Sequence, residues 1–174
     1  GVEGLLAEPL EVGLVGQHEV GEARRVADFH VERHEQVDLG GIAQHVAEAL
    51  AARDWGAAQA FFLTGGSTLG LHTALALCCR PGDRVLIDRG CHRAVYNALA
   101  LLDLKPVYLE RPWLASEGIT GPISPSSVAQ ALEEHPEAKT LCITSPTYYG
   151  VLSDLPALAE LMHRRGGVLV VDGA

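Results

Sequence analysis

The sequence contains few lysines and little positive charge. Of its thirteen basic residues only Lys105 and Lys139 are lysines, and the formal net charge is −9. An acidic surface is poorly suited to hold the phosphates of nucleic acids or anionic lipids. We therefore expect neither nucleic acid nor a membrane among the partners of the chain.

Long apolar runs and paired cysteines are also missing. No apolar run reaches the roughly 18 residues that a membrane-spanning helix needs, and the N-terminal residues show no signal-peptide pattern. Four cysteines occur without a C-x-x-C pair or the spacing of metal ligands, at Cys78, Cys79, Cys91 and Cys142. This pattern is typical of free thiols in a reducing compartment, so we expect a cytoplasmic protein.

Two further kinds of site lack their signatures. Neither G-x-G-x-x-G nor G-x-x-x-x-G-K-[ST] occurs, which disfavours a Rossmann-type nucleotide binder and a nucleoside-triphosphate site. His30 and His34 have a spacing that could bind a metal on a helix, but no third ligand accompanies them. We expect no metal.

Short apolar runs alternate with longer amphipathic stretches from Ile42 onward. The runs predict strands at 60–64, 84–88, 106–109, 140–144 and 168–171. The stretches predict helices at 42–55, 68–80, 92–102, 126–134 and 155–165. This alternation predicts an α/β domain over residues 41–174, with a mostly parallel sheet and helices on both faces. Residues 1–40 have only weak periodicity, so the domain is preceded by an N-terminal segment of uncertain structure.

Polar residues follow almost every predicted strand, and in a parallel sheet they would meet at one edge. Gly65-Gly66-Ser67-Thr68 follows the first strand, and His92 comes shortly after the second. Thr147 follows the strand 140–144, and Asp172 ends the last one. The short strand 106–109 is the exception.

The Gly-Gly-Ser-Thr junction at a helix start is typical of a phosphate site. Glycines let the backbone approach an anion, and the helix N-terminus offers free N–H groups. Ser67 and Thr68 add hydroxyl donors, although the same residues also serve as ordinary helix caps. Asp172, at the end of an apolar strand, needs a cationic partner or hydrogen-bond donors. Together with His92, these groups would suit a phosphorylated aromatic base whose ring nitrogen is kept protonated.

The chain resembles the large domain of the Orn/Lys/Arg decarboxylase family, pyridoxal-phosphate enzymes of fold type I with the aspartate-aminotransferase fold. The similar segments, which span about residues 41–174, are "FFLTGGSTLG", "PGDRVLIDRGCHRAVYNALALLDLKPVYL", "GIT", "LCITSPTYYGVLSDL" and "GVLVVDGA". The resemblance implies pyridoxal 5′-phosphate as cofactor. It also implies decarboxylation of arginine, lysine or ornithine to a polyamine or its precursor.

By position, the resemblance implies a role for each residue at the predicted edge. Gly66, Ser67 and Thr68 would bind the cofactor phosphate. His92 would stack on the pyridine ring, and Asp172 would pair with the pyridinium nitrogen, which makes the ring an electron sink. His92 and Asp172 are therefore the expected catalytic residues.

Thr147 lies near the cofactor by position, and three features of the chain depart from the family pattern. Asp172 is followed by Gly173, where the family usually has an acidic or small polar residue. Gly65 stands where the family usually has Asn. The Schiff-base lysine of the family lies beyond the position of Asp172, and neither Lys105 nor Lys139 matches it. We therefore expect a fragment, truncated before that lysine and inactive alone.

Other readings of the same residues stay open. An aminotransferase, lyase or acyltransferase of the same fold would share these segments, because residues outside the chain set the reaction type. A non-catalytic remnant would keep the fold without the lysine. The resemblance further implies a small-molecule amino-acid substrate and a homodimer or higher homo-oligomer.

Overall fold

The computed structural model describes residues 12–14 and 39–174 and shows an α/β architecture. Its strands are β1 (Val12–Leu14), β2 (Arg84–Asp88), β3 (Lys105–Leu109), β4 (Trp113–Leu114), β5 (Ile119–Thr120), β6 (Thr140–Thr144) and β7 (Val168–Asp172). Its helices are α1 (Leu39–Trp55), α2 (Gly66–Cys78), α3 (Arg93–Leu101), α4 (Pro125–Glu134) and α5 (Leu155–His163).

Five strands form one parallel sheet in the order β1-β7-β6-β2-β3. Strands β4 and β5 form a separate antiparallel hairpin. In the register of the sheet, Ile87 lies beside Cys142 and Thr144 lies beside Asp172. The strands β2, β6 and β7 therefore end within about one residue of each other.

Helices cover both faces of the sheet, which confirms the predicted fold class. On one face, α2 and α3 pack through residues such as Leu75 and Val95 against Val85, Cys142 and Val170. On the other face, α4 and α5 pack against residues of the opposite strand parity, which include Leu86, Leu141 and Leu169. Because side chains alternate along each strand, a strand buried on both faces has a continuous apolar sequence.

Local sequence signals set where two helices begin. The Ser124 hydroxyl accepts a hydrogen bond from the Ser127 N–H at the start of α4. The Asp154 carboxylate accepts one from the Ala157 N–H at the start of α5. Each helix also has a proline in its first turn, where a missing N–H costs nothing.

The prediction of a strand at 60–64 was wrong. In the structure these residues form no strand, and the side chains of Phe61 and Phe62 are mostly exposed. The Phe62 N–H donates to the Glu48 carboxylate of α1, so the segment is attached to a helix and not to the sheet. A run of apolar residues is not sufficient for a strand when no neighbouring strand supplies hydrogen bonds.

The other predicted strands and helices are present, with ends shifted by a few residues at most. The hairpin of β4 and β5 and the short strand β1 were not predicted. No helix among the described residues is long and apolar enough to cross a membrane. His30 and His34 lie outside the described residues, and residues 39–174 contain no cluster of three potential metal ligands.

Candidate active site

The carboxyl ends of β2, β6 and β7 form one edge of the sheet, which we call the rim. Asp88, Thr144 and Asp172 are the last residues of these three strands. The Ser145 N–H donates to the Asp172 carbonyl at 3.0 Å, so the chain that leaves β6 is attached to the end of β7. Polar groups from separate parts of the sequence therefore meet at the rim.

Asp172 is buried at this rim, with 4% of its surface exposed. It lies on the face that α2 and α3 cover, because its parity along the strand is that of Val170. Its Oδ1 atom accepts a hydrogen bond from the Ala174 N–H at 3.2 Å. A buried carboxylate is costly unless donors or a cation satisfy it, so this side chain is suited to pair with a cationic group.

Helix α2 places its N-terminus at the same rim. Its C-terminal residue Cys78 accepts a hydrogen bond at its carbonyl from the hydroxyl of Thr140, which begins β6 at the opposite edge. The helix has 13 residues and is about 20 Å long, slightly more than a five-residue strand. Because Leu71 and Leu75 pack along the sheet, the start of α2 reaches the carboxyl ends of the strands.

A contact between helices supports this placement. The imidazole of His72, one turn after Thr68, donates from Nε2 to the Ala94 carbonyl at 3.0 Å. Ala94 lies in the first turn of α3, just beyond the rim end of β2. The structure therefore brings the Gly66–Thr68 turn and Asp172 to one border of the sheet.

The turn itself has the features of an anion site. The backbone φ of Gly66 is +68°, a value that residues with a side chain rarely adopt. The space beside its Cα is open, because a Cβ placed there would meet no atom within 4 Å. Ser67 and Thr68 are exposed. Both residues belong to the first turn of α2, whose N–H groups have no acceptor within the helix. Backbone and hydroxyl donors can therefore converge on a phosphate.

His92 is the N-cap of α3 and is exposed. Its Nδ1 atom accepts a hydrogen bond from the Ala94 N–H at 3.2 Å. Since Nδ1 is an acceptor, a neutral His92 carries its proton on Nε2. The cap fixes one side of the ring and leaves the rest of it accessible at the rim.

Thr147 lies in the turn that follows β6. Its hydroxyl accepts a hydrogen bond from the Val151 N–H, and its backbone N–H donates to the Val151 carbonyl. These contacts hold the turn together, and they occupy the hydroxyl as an acceptor while leaving its proton free to donate. The structure places Thr147 near the rim, where its hydrogen bonds to Val151 stabilise the turn.

Two groups at the rim were not identified from the sequence. Asp88 and Arg111 form a buried ion pair whose side chains are 0% and 4% exposed. The buried hydroxyl of Thr144, beside Asp172 on the same face, has no hydrogen-bond partner among the described residues. The position of Asp88 at the end of an apolar strand could have indicated a buried carboxylate. Nothing in the sequence indicates that Arg111 is its partner.

The core beneath the rim disfavours charged side chains. Burial raises the pKa of the Cys91 thiol to about 11, and the Asp88 and Asp172 carboxylates add to the shift. Burial also raises the pKa of Cys142. Both thiols are therefore neutral near pH 7, and neither is an activated nucleophile.

Solved structures share this architecture. An aspartate aminotransferase from Rhodobacter sphaeroides superposes with a TM-score of 0.59 at 21% identity, over 78% of this chain and 35% of that one. The constitutive lysine decarboxylase of Escherichia coli superposes with a TM-score of 0.59 at 26% identity, over 74% of this chain and 19% of the other. The fold is that of the aminotransferase-like large domain, as predicted.

The chain belongs to the Orn/Lys/Arg decarboxylase family. The family described as "Orn/Lys/Arg decarboxylase, major domain" matches residues 20–174. The arginine decarboxylase of Bacillus subtilis is 36% identical over 129 residues, which are 74% of this chain and 26% of that protein. The chain thus spans about a quarter of the length of such curated relatives.

These comparisons confirm the predicted family. The match begins 21 residues before the predicted boundary at residue 41, and the division into an N-terminal segment at 1–40 and a domain at 41–174 stays a prediction. The roles of the individual rim residues also stay predictions.

Proposed function

We propose that the whole protein is a pyridoxal-phosphate-dependent decarboxylase of arginine, lysine or ornithine. The single observation that supports this most is the arrangement of a glycine turn with exposed hydroxyls and a buried carboxylate at one rim. Family membership supports the same conclusion.

The residues present fit pyridoxal phosphate. The open turn before α2 has donors and a helix dipole for a phosphate. The buried Asp172 is suited to a protonated ring nitrogen, and His92 offers a flat ring at the same rim. When bound, the pyridine ring takes up the electron pair that remains after the α-carboxylate leaves as CO₂.

Each residue then has a defined task. Ser67, Thr68 and the backbone after Gly66 hold the phosphate and so fix the position of the ring. Asp172 keeps a proton on the ring nitrogen, because a buried carboxylate is stabilised by a neighbouring cation. His92 orients the ring by contact with its face.

The lysine that holds the cofactor covalently in such enzymes must come from outside the described residues. Lys105 begins β3, and Lys139 directly precedes β6, so both lie at the amino edge of the sheet, opposite the rim. The Lys139 ammonium donates to the Arg165 carbonyl. We therefore propose that a further lysine, in the part of the protein beyond Asp172, completes the site.

Three further properties are part of this proposal. A product polyamine or polyamine precursor follows from the basic amino-acid substrates. The free cysteines among the described residues are consistent with the cytoplasm. A homodimer would cover exposed aromatic side chains such as Trp113, Tyr148 and Tyr149.

The phosphate role is tested by replacing Ser67 and Thr68 together with Ala in the whole protein. We expect pyridoxal phosphate to bind at least about tenfold more weakly, because two hydrogen bonds to a charged group are lost. Thr73→Ala, an exposed threonine in the middle of α2, serves as the control and should bind like the wild type. Affinity is measured by titration of the cofactor absorbance.

The reaction is tested with the same proteins by release of CO₂ from each of the three amino acids. Formation of a keto acid without CO₂ would instead identify an aminotransferase. If the double variant binds the cofactor as tightly as Thr73→Ala does, Ser67 and Thr68 are only the start of a helix.

A further inference from the structure

Arg111 and Asp88 form the most buried charged contact among the described residues. The Arg111 Nε atom lies 3.0 Å from both carboxylate oxygens of Asp88, and its Nη2 atom also donates to Oδ2. Arg111 lies between β3 and β4, and Asp88 ends β2. A planar guanidinium suits this geometry, which a lysine ammonium cannot reproduce.

The pair also binds the backbone of three separate segments. Arg111 donates to the Thr144 carbonyl at 2.6 Å and to the Gly121 carbonyl at 3.0 Å. Asp88 accepts from the Gly90 N–H at 2.7 Å and from the Thr144 N–H at 3.4 Å. The loop after β2, the end of β6 and the chain after the β4–β5 hairpin are therefore joined at one point.

Two of these segments carry the residues of the proposed site. Gly90 lies two residues before His92, and Thr144 lies three residues before Thr147. The residue after Thr144 donates to the carbonyl of Asp172. Asp88 and Asp172 project from opposite faces of the sheet. The ion pair therefore contacts these segments on the face that α4 and α5 cover and does not line the site.

A buried ion pair is by itself weak evidence for a gain in stability. Taking two charges out of water offsets most of their attraction, and uncharged replacements of a buried pair are often tolerated. Compared with Arg111 and Asp88, an uncharged or shorter pair of side chains would lack a fixed set of hydrogen-bond donors to several backbone groups.

We propose that Arg111 and Asp88 are positioning residues, which hold the loop before His92 and the turn after Thr144 in the geometry that receives the cofactor. This inference rests on the proposed function of the rim. It adds two residues that touch neither cofactor nor substrate.

The test compares Arg111→Lys with Arg89→Lys in the whole protein. Arg89 forms an ion pair with Glu110 near the same ends of β2 and β3, but its side chain is 63% exposed, so it is a matched control. In Arg111→Lys we expect the backbone amides of residues 90–92 and of Thr144, Ser145 and Thr147 to exchange hydrogen at least about tenfold faster. We expect a rise of similar size in the dissociation constant for pyridoxal phosphate. Arg89→Lys should match the wild type in both measurements.

The exchange measurement is made without cofactor, so it reports on the loops even if the rim has another function. Unchanged exchange at both segments in Arg111→Lys would overturn the proposal, and so would an equal increase across α4 and α5. A wild-type protein that binds no pyridoxal phosphate would contradict the proposed function instead.

An uncharged pair keeps the test decisive if Arg111→Lys does not fold. Asp88→Asn with Arg111→Gln keeps a polar side chain at both positions and removes both buried charges. We expect this variant to fold, with faster exchange in the same two segments and weaker cofactor binding. If it folds and both measurements equal those of the wild type, Asp88 and Arg111 have no positioning role.

Discussion

Cys91 is a buried thiol between the core and the rim, with 8% of its surface exposed. Its raised pKa, about 11 against an ordinary value of 9.0, has burial as its main cause. The carboxylates of Asp88 and Asp172 act in the same direction. The charged thiolate would be poorly solvated there and repelled by both carboxylates, so the neutral thiol is favoured.

This shift predicts a dependence of stability on alkaline pH. Between about pH 9 and 11 the unfolded chain loses the Cys91 proton while the folded protein keeps it. The stabilisation is therefore fully present below pH 9 and is lost as the pH rises through 11. Relative to Cys91→Ala, the wild type should lose on the order of 1 kcal/mol of unfolding free energy between pH 8 and 10.5.

Denaturant unfolding of both proteins at the two pH values measures the effect. The alanine variant is its own control, because all other titrating groups are common to both chains. An identical difference between the proteins at pH 8 and pH 10.5 would show that Cys91 ionises normally.

For individual residues, the sequence predicts which polar side chains are buried better than it predicts their hydrogen-bond or ion-pair partners. Asp172 could be predicted as a buried carboxylate because it ends an apolar strand. The pairing of Asp88 with Arg111 could not, since 23 residues separate them and a loop sets the direction of the arginine. The sequence predicts Thr144 only as the last residue of a strand. The burial of its hydroxyl is visible only in the tertiary structure.

Helix α3 shows how an amphipathic element fixes one wall of the site. Leu99 is 6% exposed and packs between α2 and the sheet, while Leu101, two residues later, is 73% exposed. The buried face holds the helix against β2, and its first turn carries the His92 cap. Packing of one face therefore determines where the imidazole lies.

The two leucines form a matched pair for a stability measurement. Leu99→Ala should lower the unfolding free energy by about 2–4 kcal/mol, because it leaves a cavity in the core. Leu101→Ala removes an exposed side chain and should change it by less than about 0.5 kcal/mol. Chemical denaturation gives both values, and equal effects from the two substitutions would contradict this packing.

Elements with continuous apolar runs or clear caps could be predicted from the sequence, and those that depend on distant partners could not. Strands β2 and β6 have the predicted bounds, because each is buried on both faces and reads as a continuous apolar run. Residues 60–64 have a similar composition, but none of the described strands pairs with them. The β4–β5 hairpin has only two residues on each strand, too few to show a period of two.

At the scale of the molecule, the described residues form a parallel sheet with the candidate site residues at one edge. The turn before α2 and the end of β7 are separated by about a hundred residues of sequence and are brought together because α2 packs along the sheet. Lys105 and Lys139 both lie at the opposite edge.

The structure of the whole protein with pyridoxal phosphate bound is the most direct test of a shared site. We predict the phosphate within about 3 Å of the Ser67 and Thr68 hydroxyls, and the ring nitrogen at a similar distance from the Asp172 carboxylate. The His92 ring should contact the face of the pyridine. A phosphate bound away from the Gly66 turn, or a ring nitrogen that does not meet Asp172, would contradict the account.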